Sequence, residues 1–193
     1  MINIRLLSVV LAMLCATVTY GQKAALKTNM LYDATLTLNG GVEVRMAPKW
    51  TFDLSANLNA WTVDNRRWKH WLVQPEGRYW LCQAWSGHFF GAHVLGGQYN
   101  WGHLNLPFSF LGTDFRKLKD FRYQGWMAGA GIAYGYSWII NRHWNIEAEI
   151  GIGWVYTRSD VFECKDCGQK IQSGYSHNYV GPTKAAINLI YEF

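Results

Sequence analysis

The chain has 193 residues, half of them hydrophobic and only 16% charged, with 11 tryptophans and a formal charge of +5. Its charges are scattered rather than massed into a basic stripe, which argues against nucleic acid as a partner. Beyond the amino-terminal segment no run is long and apolar enough for a helical membrane span, so this hydrophobicity has to be carried in alternation.

Met1 to Gly21 has the layout of a secretory signal peptide. One basic residue, Arg5, precedes the apolar run Leu6 to Leu14, and small residues lead to Thr19-Tyr20-Gly21. The run is too short to span a membrane, and Cys15 lacks the small preceding residue usual in a lipoprotein. Cleavage is expected after Gly21. That leaves residues 22–193 as one domain, with a formal charge of +4 once Arg5 is gone.

Period two then predicts eight strands, close to 25–32, 40–47, 50–61, 70–82, 88–102, 121–139, 144–159 and 179–193. Their connections alternate in length. Residues 48–49, 83–87 and 140–143 are short turns; 33–39, 62–69, 103–120 and 160–178 are longer loops. This is the layout of an all-β, eight-stranded, antiparallel up-and-down transmembrane β-barrel, with both termini on the short-turn, periplasmic side. Pro75 lacks a ladder donor, so a bulge is expected within the fourth strand.

The faces are consistent. Trp50, Phe52, Leu54, Ala56 and Leu58 oppose Thr51, Asp53, Ser55, Asn57 and Asn59, and Ile146, Ile150 and Ile152 oppose Glu147, Glu149 and glycines. A soluble barrel of lipocalin type would turn the aliphatic face inward. A membrane barrel would enclose Glu43, Asp53, Glu76, Glu147 and Glu149 together with Lys27, Arg45, Arg78 and Lys184, charges that nearly cancel. Most tryptophans fall near strand ends, as two membrane interfaces select, and this favours the membrane form. The last strand alternates Ala185, Ile187, Leu189, Tyr191 and Phe193 with Lys184, Ala186, Asn188 and Glu192. Such an aromatic carboxy terminus suits recognition by barrel assembly machinery, with Leu189, Tyr191 and Phe193 as the signal.

Several segments also carry a resemblance: Lys27-Thr-Asn-Met-Leu-Tyr-Asp-Ala34, Lys69-His-Trp-Leu-Val-Gln-Pro-Glu-Gly-Arg-Tyr-Trp80, Gly87-His-Phe-Phe-Gly-Ala-His93, Leu95-Gly-Gly-Gln-Tyr-Asn100, Tyr123-Gln-Gly-Trp126 and Cys164-Lys-Asp-Cys-Gly168. They resemble an uncharacterised family of small outer-membrane proteins from Bacteroidetes, the domain of unknown function 3575. The resemblance covers the whole mature chain. It implies an OmpA-like eight-stranded barrel and supplies no catalytic residues.

Chemistry has few candidate places. Eight strands leave an interior just wide enough for side chains, so the inward charges read as a salt-bridged plug rather than a general pore; a gated ion path is the alternative. Cys164 and Cys167 have the spacing of a redox motif or half a zinc site, and export favours a loop disulfide over a metal. Cys82 reads as a packed thiol. His88 and His93 have opposite parity and cannot share one site, while His103, Ser109 and Asp114 fall in the third long loop. No hydrolase or phosphate-binding motif accompanies them, so a lipid-modifying enzyme is the minor reading, and no cofactor or metal is expected. The expected role is a structural or surface-interaction protein of the bacterial outer membrane. Its loops would meet lipopolysaccharide or other envelope and surface proteins.

That third loop places Phe108, Phe110 and Phe115 beside Arg116, Lys117 and Lys119. It suits either the lipid headgroup region at the outer rim or a lid over the barrel mouth. Charge reversal of Arg116, Lys117 and Lys119 is expected to leave folding intact and weaken lipopolysaccharide association; unchanged association would remove the outer-rim reading.

Overall fold

The computed structural model describes residues 24–63, 66–102, 109–110, 113–114, 121–163 and 169–193. They form β1 (Ala24–Asn29), a helical turn α1 (Met30–Ala34), β2 (Leu38–Ala47), β3 (Trp50–Asn59), β4 (Arg66–Trp80), β5 (Gly87–Gly102), β6 (Arg122–Ile139), β7 (Trp144–Phe162) and β8 (Lys170–Glu192). Each strand pairs antiparallel with the next, and β8 returns to β1, so eight strands close into a ring. Thr62–Val63 adds two residues to β4, and Ser109–Phe110 pairs with Thr113–Asp114. Residues 1–21, expected to be a signal peptide, lie outside the described residues.

Alternation sorts the two faces of this ring. Ile132, Ile150, Ile152, Val180 and Val94 are more than half exposed on the outside, whereas Arg78, Glu43 and Glu147 are fully buried within. At the short-turn end the interior is closed by Ala25, Trp80, Ala84, Trp85, Phe89 and Ile190. Trp80 donates its indole N–H to Thr51 Oγ1 at 2.9 Å, so this apolar plug leaves that indole satisfied. Trp85 sits in the turn before β5 with φ at 64°, a costly conformation for a bulky residue. Its ring is buried in the plug and its carbonyl accepts from Asn145 Nδ2 at 3.0 Å, which holds the turn in place. Trp80 and Trp85 therefore depart from the expected girdle, while Trp50, Trp71, Trp126, Trp138, Trp144 and Trp154 are exposed.

Several boundaries differ from the sequence reading: β2 starts at Leu38, β3 ends at Asn59 and β4 runs from Arg66 to Trp80, and the largest differences lie in β1, β7 and β8. β1 stops at Asn29 rather than Tyr32 because the Asn29 side chain accepts from Leu31 N at 3.1 Å and caps α1. The same amide accepts from Ile187 N and donates to Ala185 O, both at 3.2 Å, continuing the ladder to β8 by one step where β1 has ended. β8 starts at Lys170 rather than Tyr179, and β7 runs on to Phe162, so the loop expected at 160–178 is mostly hairpin. The outer half of β8 has little apolar alternation, and ladder pairing rather than burial defines it. Near its tip Asp160 accepts from Lys170 Nζ at 2.6 Å, Gly174 N at 2.9 Å and Ser173 Oγ at 3.1 Å. These hydrogen bonds, Lys170's first, hold the Asp160 carboxyl down at about 2. Gly174 takes φ of 67°, as this irregular corner requires.

The bulge expected at Pro75 is absent. Val73 pairs with Gly96 and Glu76 with His93 in one unbroken register, so the ladder skips Gln74 and Pro75 without slipping. The shift falls at the other strand proline instead. Gly151 pairs with Lys184 and Ile152 with Pro182, which leaves Thr183 as the extra residue.

Inward glycines let neighbouring backbones approach. A Cβ on Gly153 would lie 2.2 Å from Ala130 O, and one on Gly97 would lie 2.1 Å from Trp71 O, whereas Gly40 has open space. Gly153→Ala and Gly97→Ala are each expected to destabilise the fold by about 1–3 kcal/mol, and Gly40→Ala by much less. Denaturant unfolding of the refolded chain checks this; equal midpoints for all three would refute the packing argument.

Candidate functional site

Just above the apolar plug, β1, β2, β3, β4, β7 and β8 each send charged side chains inward. β4 contributes Arg78, fully buried, whose planar fork can bridge several acids at once. Its Nε donates to Glu76 Oε1 at 2.6 Å, Nη1 to Glu147 Oε2 at 2.9 Å and Glu43 Oε2 at 3.0 Å, and Nη2 to Glu149 Oε2 at 2.7 Å. Its guanidinium carbon also lies 4.5 Å from the centre of the Phe89 ring, which seats the cluster on the apolar plug.

Two lysines complete the arrangement. Lys27 Nζ lies 2.5 Å from Glu43 Oε2, 3.1 Å from Asp53 Oδ1 and 3.9 Å from Glu147 Oε1. Lys184 Nζ lies 2.7 Å from Glu76 Oε2, 3.2 Å from Glu149 Oε1 and 3.8 Å from Asp53 Oδ2. Thus Lys27 bridges Glu43 and Glu147, Lys184 bridges Glu76 and Glu149, and Arg78 touches all four. Register explains why cations are needed here. Glu43 lies directly across from Asp53, and Asp53 directly across from Glu76, so three like charges sit side by side on adjacent strands.

Eight of the nine charged residues expected inside therefore meet. Arg45 does not: it is half-buried and forms no ion pair among the described residues. It pairs with Thr51, which pairs with Arg78, but the register breaks between Arg45 and Ala47 at the end of β2. Sequence reading missed four polar neighbours. Asn188 Nδ2 donates to Glu147 Oε1 at 2.7 Å, His93 Nε2 lies 2.9 Å from Thr183 Oγ1, and Gln74 Nε2 donates to Thr183 O at 3.2 Å. His93 faces inward and His88 outward, consistent with their opposite parity, and the shift in the β7–β8 register leaves Thr183 beside His93.

Thr183, His93 and Glu76 have the order of a nucleophile, base and orienting acid, with His93 Nδ1 3.6 Å from Glu76 Oε2. The surrounding space is already filled. A Cβ on Gly131 would come within 2.7 Å of His93 Nε2 and 2.8 Å of Thr183 Oγ1, which leaves no room for a substrate carbonyl on that side. A cavity of about 30 Å³ lies between β1, α1, β2, β3, β4 and β8. Lys27, Asn29, Tyr32, Asp53, Asn57 and Asn188 are among its lining residues, and it has room for about two waters. No group of three or more histidine, cysteine or acidic side chains among the described residues has the arrangement of a metal site.

The remaining expected residues fall as follows. Cys164, Cys167, His103, Phe108, Phe115, Arg116, Lys117 and Lys119 lie outside the described residues, and Phe110 is described only as backbone. Cys82 is an exposed free thiol, not a packed one, because it follows β4 into the turn. Leu189 and Tyr191 are half-buried and Phe193 is exposed, with Tyr191 stacked among Trp144, His143 and Phe193.

Arg78 is the residue the cluster cannot lose. Arg78→Met strands four glutamates and is expected to destabilise the fold by about 3–5 kcal/mol. Arg78→Lys should recover little of this, since one ammonium cannot reproduce the forked contacts. Urea unfolding of the refolded variants measures both; wild-type stability in Arg78→Met would contradict the hub role.

Comparison with curated proteins and with solved structures finds no match to this chain. A family model described as a protein of unknown function, DUF3575, matches residues 6–193, and the chain belongs to that family.

Proposed function

We propose that the protein is a small outer-membrane β-barrel with a structural or surface-interaction role, its interior plugged rather than open. One observation carries this: the large apolar side chains face out around the ring while the ionic ones are buried in it. In water such an outer surface would be an extended apolar patch that drives association; in a bilayer it is the matching surface. The strands support the same reading, since β4 to β8 have 15 to 23 residues and about 9–11 tilted residues suffice for a span. The exposed tryptophans would then sit at the two interfaces.

Within this reading the ionic cluster and the apolar plug beneath it obstruct the lumen, so general diffusion is not the activity. The role is rigid display. Lipid-facing side chains anchor the ring, both termini lie in the periplasm after signal cleavage, and the longer connections meet lipopolysaccharide or envelope and surface proteins. The barrel assembly machinery would read the closing strand through Leu189, Tyr191 and Phe193. A lipid-modifying activity remains the alternative, and it would have to use the third long loop.

The test is heat-dependent migration on a denaturing gel, combined with membrane fractionation. The expected outcome is recovery in the outer-membrane fraction and a mobility change on boiling. A soluble, heat-unmodified chain would overturn the proposal.

A further inference from the structure

The connection between β1 and β2 combines apolar surface with polar groups that serve one another. Met30, Leu31, Leu36 and Leu38 are each at least 40% exposed, and Asp33 is the one charged residue from Met30 to Leu38. Leu31 N donates to Asn29 Oδ1 at 3.1 Å, Thr35 N to Tyr32 O and Leu36 N to Asp33 O at 3.0 Å, and Thr37 N to Tyr32 O at 2.9 Å. The Thr35 hydroxyl donates to Tyr32 O at 2.9 Å, and the buried Thr37 hydroxyl accepts from Asn59 Nδ2 at 3.2 Å. The Asp33 carboxylate receives Asn39 Nδ2 at 2.7 Å and Thr28 Oγ1 at 3.0 Å. A segment standing in water can leave such groups to the solvent; one in hydrocarbon has to pair them within the protein.

Leu36 adds an independent sign. Its φ is 55°, in the left-handed region that favours glycine, and its side chain is 60% exposed. Packing against the protein therefore does not account for a leucine at this corner. Beside it the outer apolar surface runs on: Leu38 lies across from Leu58 and Val42 from Leu26, and all four are exposed.

Register places this connection below the top of the apolar surface. β1 ends at Asn29, opposite Asn188, but β8 continues outward to exposed Val180, which lies across from exposed Trp154. From 188 to 180 is about 25 Å of strand at roughly 3.3 Å per residue, or about 18 Å of height at a tilt near 45°. The five residues of α1, at roughly 1.5 Å each, climb about 8 Å at most. Val180 therefore stands higher than the connection, and the exposed polar residues Lys170, Gln172 and Ser173 stand higher still.

We propose that residues 30–37 are immersed in the outer leaflet, with Leu31 and Leu36 against lipid acyl chains, a placement that rests on the membrane reading above. This side of the ring then ends inside the bilayer, while the tip of the β7–β8 hairpin stands in water. Acyl chains suit the surface better than a second protein does, because the same apolar face continues onto Leu26, Val42, Leu38 and Leu58, where lipid already lies in that reading.

Nuclear magnetic resonance of the refolded, unmodified chain in dimyristoyl phosphatidylcholine nanodiscs tests this with two broadening agents. One is a stearic acid carrying a nitroxide on its chain; the other is a gadolinium chelate confined to water. The nitroxide is expected to broaden the Leu31 and Leu36 signals as strongly as that of lipid-facing Ile150, and the chelate to spare all three while broadening Gln172. Gadolinium broadening at Leu31 and Leu36, with Ile150 still reached only by the nitroxide, would overturn the proposal and leave the membrane barrel standing. Gadolinium broadening at Ile150 would overturn both. If both agents spare Leu31 and Leu36 while the nitroxide reaches Ile150, protein covers them, a second copy of the chain included, and the proposal fails.

Discussion

A guanidinium with no access to water constrains everything else inside this ring. Arg78 has to be met by acids from several strands at once, and only a closed sheet brings β2, β4 and β7 around one point. The acids in turn crowd each other across adjacent strands, so Lys27 and Lys184 are required from β1 and β8, on either side of the closing seam. Closure and charge balance are therefore one problem: the two strands that pair to close the ring deliver the two lysines. Removing charges from water is costly, so the cluster is better understood as fixing a single register than as adding stability.

The interior is layered along its axis. An apolar floor of Trp80, Trp85, Phe89 and Ile190 excludes water beneath the ions. Phe89 touches both layers, packing against Trp80 at 4.6 Å between ring centres and lying under Arg78. Beyond the ions, β3 continues inward with Asn57 and Asn59, which are neutral and polar. Beside them Leu72, the direct cross-strand neighbour of Asn57, packs with Leu95 and Val155, against which Met127 and Tyr179 lie. Polarity thus falls into bands that no single strand displays alone.

Much of this was legible because period two survives in nearly every strand. Parity alone assigned Glu43, Asp53, Glu76, Arg78, Glu147 and Glu149 to one side, and the even strand count brought β8 to β1. What parity could not give was contact. Arg45 has the right parity and shares a register row with Arg78 through Thr51, yet at the irregular end of β2 it forms no ion pair among the described residues. Thr183 reaches His93 only through a shift in the β7–β8 register, and a one-residue shift leaves no mark in composition. The outer half of β8 was hidden for another reason. Its residues are exposed on both faces, so there is no buried side to produce alternation. The two inward tryptophans were missed because an indole beside a turn looks alike whether it points to lipid or caps a floor.

The walls of the ring are unequal. β1, β2 and β3 have 6, 10 and 10 residues, while β7 and β8 have 19 and 23. β8 meets β1 only from Asn188 to Glu192, and above that a single asparagine amide stands in for a whole strand. Among the described residues, a ring cut on such a slant stands tall on one side and low on the other. The low wall is held by the fewest paired residues, on both sides of β1, so mechanical strain would part the ring there first.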